Sequence, residues 1–191
     1  MSCLMDDEHA ACTRCELAPF RKNVVGGHGS VSADIMLVGE APGRAEDEHG
    51  LPFVGPAGAL LDRLLARAAL SRAELWITNV AHCRPPDNNI RPYLWAARTC
   101  ASIWLELEIR MVDPAVIVAM GLTAGSFFFP GIQRAYALAG VSRRGLVGGQ
   151  QRYLVGSFHP AAVLHAGGRD IEDSIVAALV TARELAAGDR D

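Results

Sequence analysis

Asp34-Ile-Met-Leu-Val-Gly39, followed at once by Glu40-Ala-Pro-Gly43, is the stretch on which the fold turns. An uninterrupted apolar run of this length, ended by Gly39, reads as a strand buried on both faces. Working outward, Leu75-Trp-Ile-Thr-Asn-Val80, Ala115-Val-Ile-Val-Ala-Met120 and Tyr153-Leu-Val-Gly-Ser157 read the same way. Between them lie helical patterns. Ala57 to Leu70 places Leu60, Leu61, Leu64, Leu65 and Ala68 at helical spacing, and Pro92 to Met111 starts with a proline that a first turn tolerates. Gly121 to Phe129 predicts a short helix, and Ile171 to Ala187 an amphipathic one. Buried strands alternating with helices predict right-handed βαβ units, hence an α/β fold whose mainly parallel sheet is covered on both faces. Gly140 to Gln151, with Gly145, Gly148 and Gly149, predicts a hairpin or long loop before the last strand.

Composition sets the bounds. At 191 residues, 50% hydrophobic and 20% charged, the chain is expected to form one domain over residues 1–191. A chain of this size buries about 70% of its unfolded surface, enough for a core without disulfides. No apolar run reaches the roughly 20 residues of a membrane span, so no membrane partner is expected. Met1 to His9 is acidic and lacks a basic-then-apolar export signal, which makes the cytoplasm the expected compartment. The net charge of −3 excludes a generally basic nucleic-acid binder, so any contact with DNA must use local patches. Lys22 is the only lysine, and arginine supplies nearly all the positive charge. No coiled-coil pattern is present, and a monomer is expected.

In an open parallel sheet, ligands bind beyond the carboxyl ends of the strands. Those ends here carry Glu40-Ala41-Pro42-Gly43, Asn79 and His159-Pro160. A carboxylate, an amide and an imidazole are therefore expected to converge. Each has a plainer use: Glu40 could cap a helix, Asn79 bond a turn, and His159 sit on the surface.

Five cysteines are present, at positions 3, 12, 15, 83 and 100. In a reducing compartment a disulfide framework is a poor reading, which leaves buried thiols, a zinc site or an iron–sulfur cluster. Cys12-Thr-Arg-Cys15 lets one turn aim two sulfurs at a metal, while Cys83 and Cys100 are distant singles. Zinc ribbons usually close with a second short pair, which is missing, so this set suits a cubane cluster better. Cys3 lies outside the set and reads as a free thiol in a loose tail. Residues 1–30, with little periodicity, are expected to form a cap tied down by metal.

Three segments resemble the motifs of the family 4 uracil-DNA glycosylases, the iron–sulfur members of the uracil-DNA glycosylase superfamily. They are Gly39-Glu-Ala-Pro-Gly-Arg-Ala-Glu-Asp47 with Gly50-Leu-Pro-Phe-Val-Gly-Pro-Ala-Gly58, then Asn79-Val-Ala-His-Cys-Arg-Pro-Pro86, then Phe158-His-Pro-Ala-Ala-Val-Leu164. The likeness runs from about residue 12 to 185. It implies a four-stranded sheet in a three-layer α/β/α arrangement and a [4Fe-4S] cluster held by Cys12, Cys15, Cys83 and Cys100. The implied activity is hydrolysis of the N-glycosidic bond of a flipped deoxyuridine in DNA.

The chemistry suits these residue types. A base within a duplex must be flipped out and read on its Watson–Crick edge. Phe53 would stack on it, and small Ala41 would let the backbone approach. Asn79 would accept from uracil N3–H and donate to O4, a pattern that cytosine reverses. His159 is implied to donate to uracil O2 as charge builds there, for which a neutral ring suffices. Glu40 would favour the cationic sugar or place water, and Glu46 is a second catalytic carboxylate candidate. Family 1 enzymes carry an Asp in the corresponding motif, and none stands between Glu40 and Gly43. Arg84, Ser157, Arg143 and Arg144 are candidate phosphate contacts, and Leu164 a candidate wedge for the space the base leaves. Departures from the family pattern are His165 in place of Arg, His82 in place of Lys, and an unusual Asp87–Thr99 stretch. A related group that becomes covalently attached to uracil-containing DNA carries a basic insertion in that region, which is missing here. A covalent or tight uracil-DNA binder and a non-catalytic iron–sulfur accessory protein are the alternatives.

Overall fold

The computed structural model describes residues 7–188; Cys3 falls outside them. In chain order the helices and strands are α1 (Asp7–Ala10), β1 (His28–Gly29), β2 (Ile35–Gly39), α2 (Arg44–His49) and α3 (Pro56–Arg67). Next come β3 (Leu75–Asn79), α4 (Leu94–Cys100), α5 (Glu106–Val112), β4 (Val116–Met120) and α6 (Leu122–Phe128). The chain then forms α7 (Ala135–Leu138), β5 (Ser142–Val147), β6 (Gln150–Ser157), α8 (Ala161–Ala166) and α9 (Arg169–Gly188).

All four strands read from the sequence are present and mutually parallel, as β3-β2-β4-β6. The sheet has six strands rather than four, because β1 and β5 add antiparallel edges. Both lack the apolar run that marks a buried strand: β1 has only two residues, and β5 opens on exposed Ser142, Arg143 and Arg144. Polar edge strands are the usual protection against unwanted pairing. The expected hairpin is the β5–β6 connection through Gly148 and Gly149, both at positive φ.

Alternation along the central strands feeds two cores. Met36 and Val38 of β2, with Trp76 of β3 and Ile117 of β4, face α4, α5 and α6. Leu37, Ile77, Val116 and Val118 face α3 and α9 on the other side. This gives the expected three layers. Helix α3 buries Leu60, Leu61, Leu64 and Leu65, each such leucine contributing about 1.5–3 kcal/mol. The helix expected over Pro92 to Met111 is interrupted: a π-helical turn over Ala101–Leu105, directly after Cys100, separates α4 from α5. Such turns often mark functional positions.

The N-terminal segment is held by protein contacts as well as any metal. Asp47 Oδ1 accepts from the backbone N–H of Lys22 (2.8 Å) and Asn23 (3.2 Å). The N–H of Val25 donates to the carbonyl of His82 (2.8 Å), and that of Gly27 to Glu108 Oε1 (2.6 Å).

Candidate active site

From β2 the chain crosses to β3 on one side, then back to β4 on the other. The strand order therefore reverses beside the carboxyl end of β2, where open α/β sheets place their ligands. A cavity of about 710 Å³ opens there, lined by Glu40, Ala41, Glu46, Phe53, Asn79, Asn88, His159 and Leu164 among others. The carboxylate, amide and imidazole expected from three separate strand ends do share one pocket.

Glycines let them approach. Gly39 pairs with Asn79 in the β2–β3 ladder. A Cβ on Gly39 would run into Asn79 Oδ1 and come within 2.6 Å of Phe53 Cζ, so only hydrogen lets amide and ring close over the strand end. A Cβ on Gly121 would meet His159 Cβ at 2.9 Å. Phe53 itself adopts φ 53°, rare for an aromatic residue, and its ring faces that of His159 with centroids 5.6 Å apart and planes 29° off parallel. Asn79 is only 2% exposed and contributes to the pocket wall.

His159 Nδ1 accepts from the N–H of Ala161 (3.1 Å), so the neutral ring carries its proton on Nε2. Burial pulls its pKa down to about 4, against an opposing pull from the charge of Glu46. Glu40 Oε2 accepts from the hydroxyl of Thr123. Thr123 lies in the first turn of α6 and was not among the residues read from the sequence. Carrying the strand-end rule on to β4 would have found it.

Glu46 accepts three backbone N–H groups. Its Oε1 takes the N–H groups of Val54 (3.0 Å) and Gly55 (2.8 Å), and its Oε2 that of Gly43 (3.1 Å). These bonds fix the Phe53 loop, and the carboxylate also lines the pocket. Ser157 is 1% exposed, and its hydroxyl donates to the carbonyl of Phe158 (3.1 Å). Arg143 and Arg144 lie along the β5 edge, over the rings of Phe129 (5.2 Å) and Tyr153 (4.6 Å). Arg84 stays beside the mouth, its Nε donating to Asn88 Oδ1 (2.7 Å). Leu164, 50% exposed, stands on the rim with His165.

A second recess gathers Cys12, Cys15, Cys83 and Cys100 with His9, His82 and Trp104. Trp104 Nε1 donates to Cys12 Sγ (3.3 Å), and the N–H of His82 to Cys100 Sγ (3.3 Å). Burial pushes the Cys83 thiol up to about 11 and that of Cys100 higher still. Among the described residues no three His, Cys, Asp or Glu side chains converge on a single metal ion. Four cysteines lining one recess are a donor set of the type that iron–sulfur clusters take.

His82, which stands in place of the Lys of the family pattern, is fully buried. Its Nδ1 meets His9 Nε2 at 2.9 Å and its Nε2 meets Thr78 Oγ1 at 3.3 Å, while His9 stacks on Trp104 at 4.1 Å. Burial lowers the His82 pKa to about 4. Glu108, whose carboxyl burial shifts upward, lies 3.7 Å from His82 Nε2 and accepts from Trp76 Nε1 (3.3 Å).

Fold and site thus define an open α/β protein with its pocket at the topological switch point. The family model of the uracil DNA glycosylase superfamily matches residues 27–180. The type-4 uracil-DNA glycosylase of Pyrobaculum aerophilum is 40% identical over 157 residues, 80% of this chain and 79% of the relative. Those of Saccharolobus solfataricus (38% over 167 residues, 85% and 76%) and Thermotoga maritima (40% over 153 residues, 80% and 78%) are similar to it as well. The chain belongs to the uracil DNA glycosylase superfamily and, within it, to the type-4 uracil-DNA glycosylases.

Proposed function

We propose that this protein is a monofunctional uracil-DNA glycosylase, hydrolysing the N-glycosidic bond of a flipped deoxyuridine to release uracil and leave an abasic site. The observation that carries this is a single pocket uniting Glu40, Phe53, Asn79 and His159 at the switch point. Phe53 forms a stacking wall. The Asn79 amide accepts from N3–H with its oxygen and donates to O4 with its nitrogen, and cytosine leaves both groups unpaired. As the bond breaks, negative charge moves onto the base and positive charge onto the sugar. The Nε2–H of His159 meets the first at uracil O2 with no proton transfer required. Glu40, oriented by Thr123, faces the second and orders the attacking water. Leu164 fills the gap left in the stack, and Arg84 reaches a phosphate beside the mouth.

The four cysteines hold a [4Fe-4S] cluster. When bound, the group supplies a cross-link between the N-terminal segment, the β3–α4 loop and α4. The N–H of His82 stabilises charge on Cys100 Sγ, whose thiol burial otherwise keeps protonated, and Trp104 Nε1 donates to Cys12 Sγ. The reaction itself stays with Glu40, Asn79, Phe53 and His159.

An end-labelled oligonucleotide carrying one uracil tests the function. Alkali-labile strands accumulating over many turnovers are expected. Intact uracil, hypoxanthine and xanthine strands with cluster-loaded protein would refute it, as would a denaturant-resistant protein–DNA band without turnover.

A further inference from the structure

Phe53 holds a backbone conformation that an aromatic residue adopts only under constraint. Two oppositely charged side chains supply that constraint. On the far side of Phe53, Glu46 collects the N–H groups of Val54 and Gly55. On the near side, Arg72 Nη2 donates to the carbonyl of Phe53 (2.9 Å) and Nη1 to that of Pro52 (3.3 Å). Arg72 is itself anchored, its Nε donating to Asp62 Oδ1 on α3 (2.8 Å). Behind the loop, a Cβ on Gly58 would run into the Phe53 carbonyl. The carbonyl that Arg72 holds is thus pressed against α3, and the ring on the same residue faces His159.

We infer that Arg72, outside every motif that identifies the family here, is a positioning residue for base stacking. With Glu46 it forms a two-charge clamp that fixes Phe53 in its left-handed conformation and its ring across from His159. A planar guanidinium takes two carbonyls and a carboxylate at once, which an ammonium's geometry does not reproduce. The inference rests on the reading of Phe53 as the stacking wall for a flipped base.

A double-mutant cycle tests it. Arg72 is partly exposed, so its truncation leaves both cores intact. Arg72→Ala is expected to lower kcat/KM for uracil excision about tenfold, as misplacement of a reacting group commonly does. In a Phe53→Ala background the same change is expected to cost less than about twofold, since a residue acting only through Phe53 has nothing left to position. An equal loss in both backgrounds, or none in the first, overturns the inference. Amide hydrogen exchange gives a readout that needs no activity. The N–H groups of Val54 and Gly55 are expected to exchange about tenfold faster in Arg72→Ala, as local opening becomes easier. Unchanged exchange there also overturns the clamp. Wild-type protein that leaves uracil in place refutes the glycosylase reading instead, while the exchange result still judges the clamp.

Discussion

In the proposed reaction, base recognition falls to one amide, that of Asn79 at the end of β3, buried where water competes poorly for its hydrogen bonds. Asn79→Ala is therefore expected to cut excision at least about tenfold, measured under single-turnover conditions, because the uracil edge loses both partners. His159 makes a second prediction at this scale. Its folded pKa of about 4 lies below the ordinary 6.5, so the unfolded chain binds more protons between those values. Its contribution to stability is fully present above 6.5 and is lost as pH falls through about 4. Excision should accordingly show no inflection near pH 6.5. One that appears there in a pH–rate profile and vanishes in His159→Asn would overturn the neutral-donor role. That Glu40, Asn79 and His159 would share one pocket was legible in the sequence, because the strand-end rule singles out positions. Their partners were less so: the rule reaches Thr123 beyond β4 but not its bond to Glu40, and nothing in the chain announces that Glu46 would spend both oxygens on backbone N–H groups.

Elements announced themselves in proportion to the apolar surface they bury. The four parallel strands are uninterrupted apolar runs because both faces are covered, and α3 and α9 show helical spacing because each covers one face. Strands β1 and β5 bury little and left no such pattern. The π turn after Cys100 was equally hidden, since its residues are ordinary helix formers. At Gly39, β2, β3 and the Phe53 loop meet with no room for a Cβ. Gly39→Ala is predicted to depress excision about a hundredfold, since displacement of catalytic groups on the order of 1 Å costs that much. It should lower the thermal midpoint only modestly. Rates and melting curves on one preparation check this, and full activity would mean that the junction is slack.

At the scale of the whole molecule, the four-cysteine recess and the buried line His9–His82–Thr78 join the N-terminal segment to the sheet beside its backbone bonds to Asp47, His82 and Glu108. Neither hydrophobic core depends on the segment for most of its residues. Removing iron with a chelator is therefore expected to open the segment to protease while circular dichroism of the remainder persists. His9→Ala should make that opening faster. Cleavage that instead runs through α3 and α9 at the same rate would show that the cap and the sheet unfold as one. The sequence disclosed the cysteine set by spacing, but the imidazole line needed the fold, because residues so far apart in the chain carry no common pattern.

The switch-point placement has one last consequence. Glu40, Asn79 and His159, to which the proposed reaction assigns its chemistry, stand at the ends of three different strands, and those ends are held by ladders that do not involve the side chains themselves. Altering what is recognised at one tip leaves the others aligned, so selectivity for a different damaged base is reachable by small independent steps, each keeping a working bond-cleaving centre.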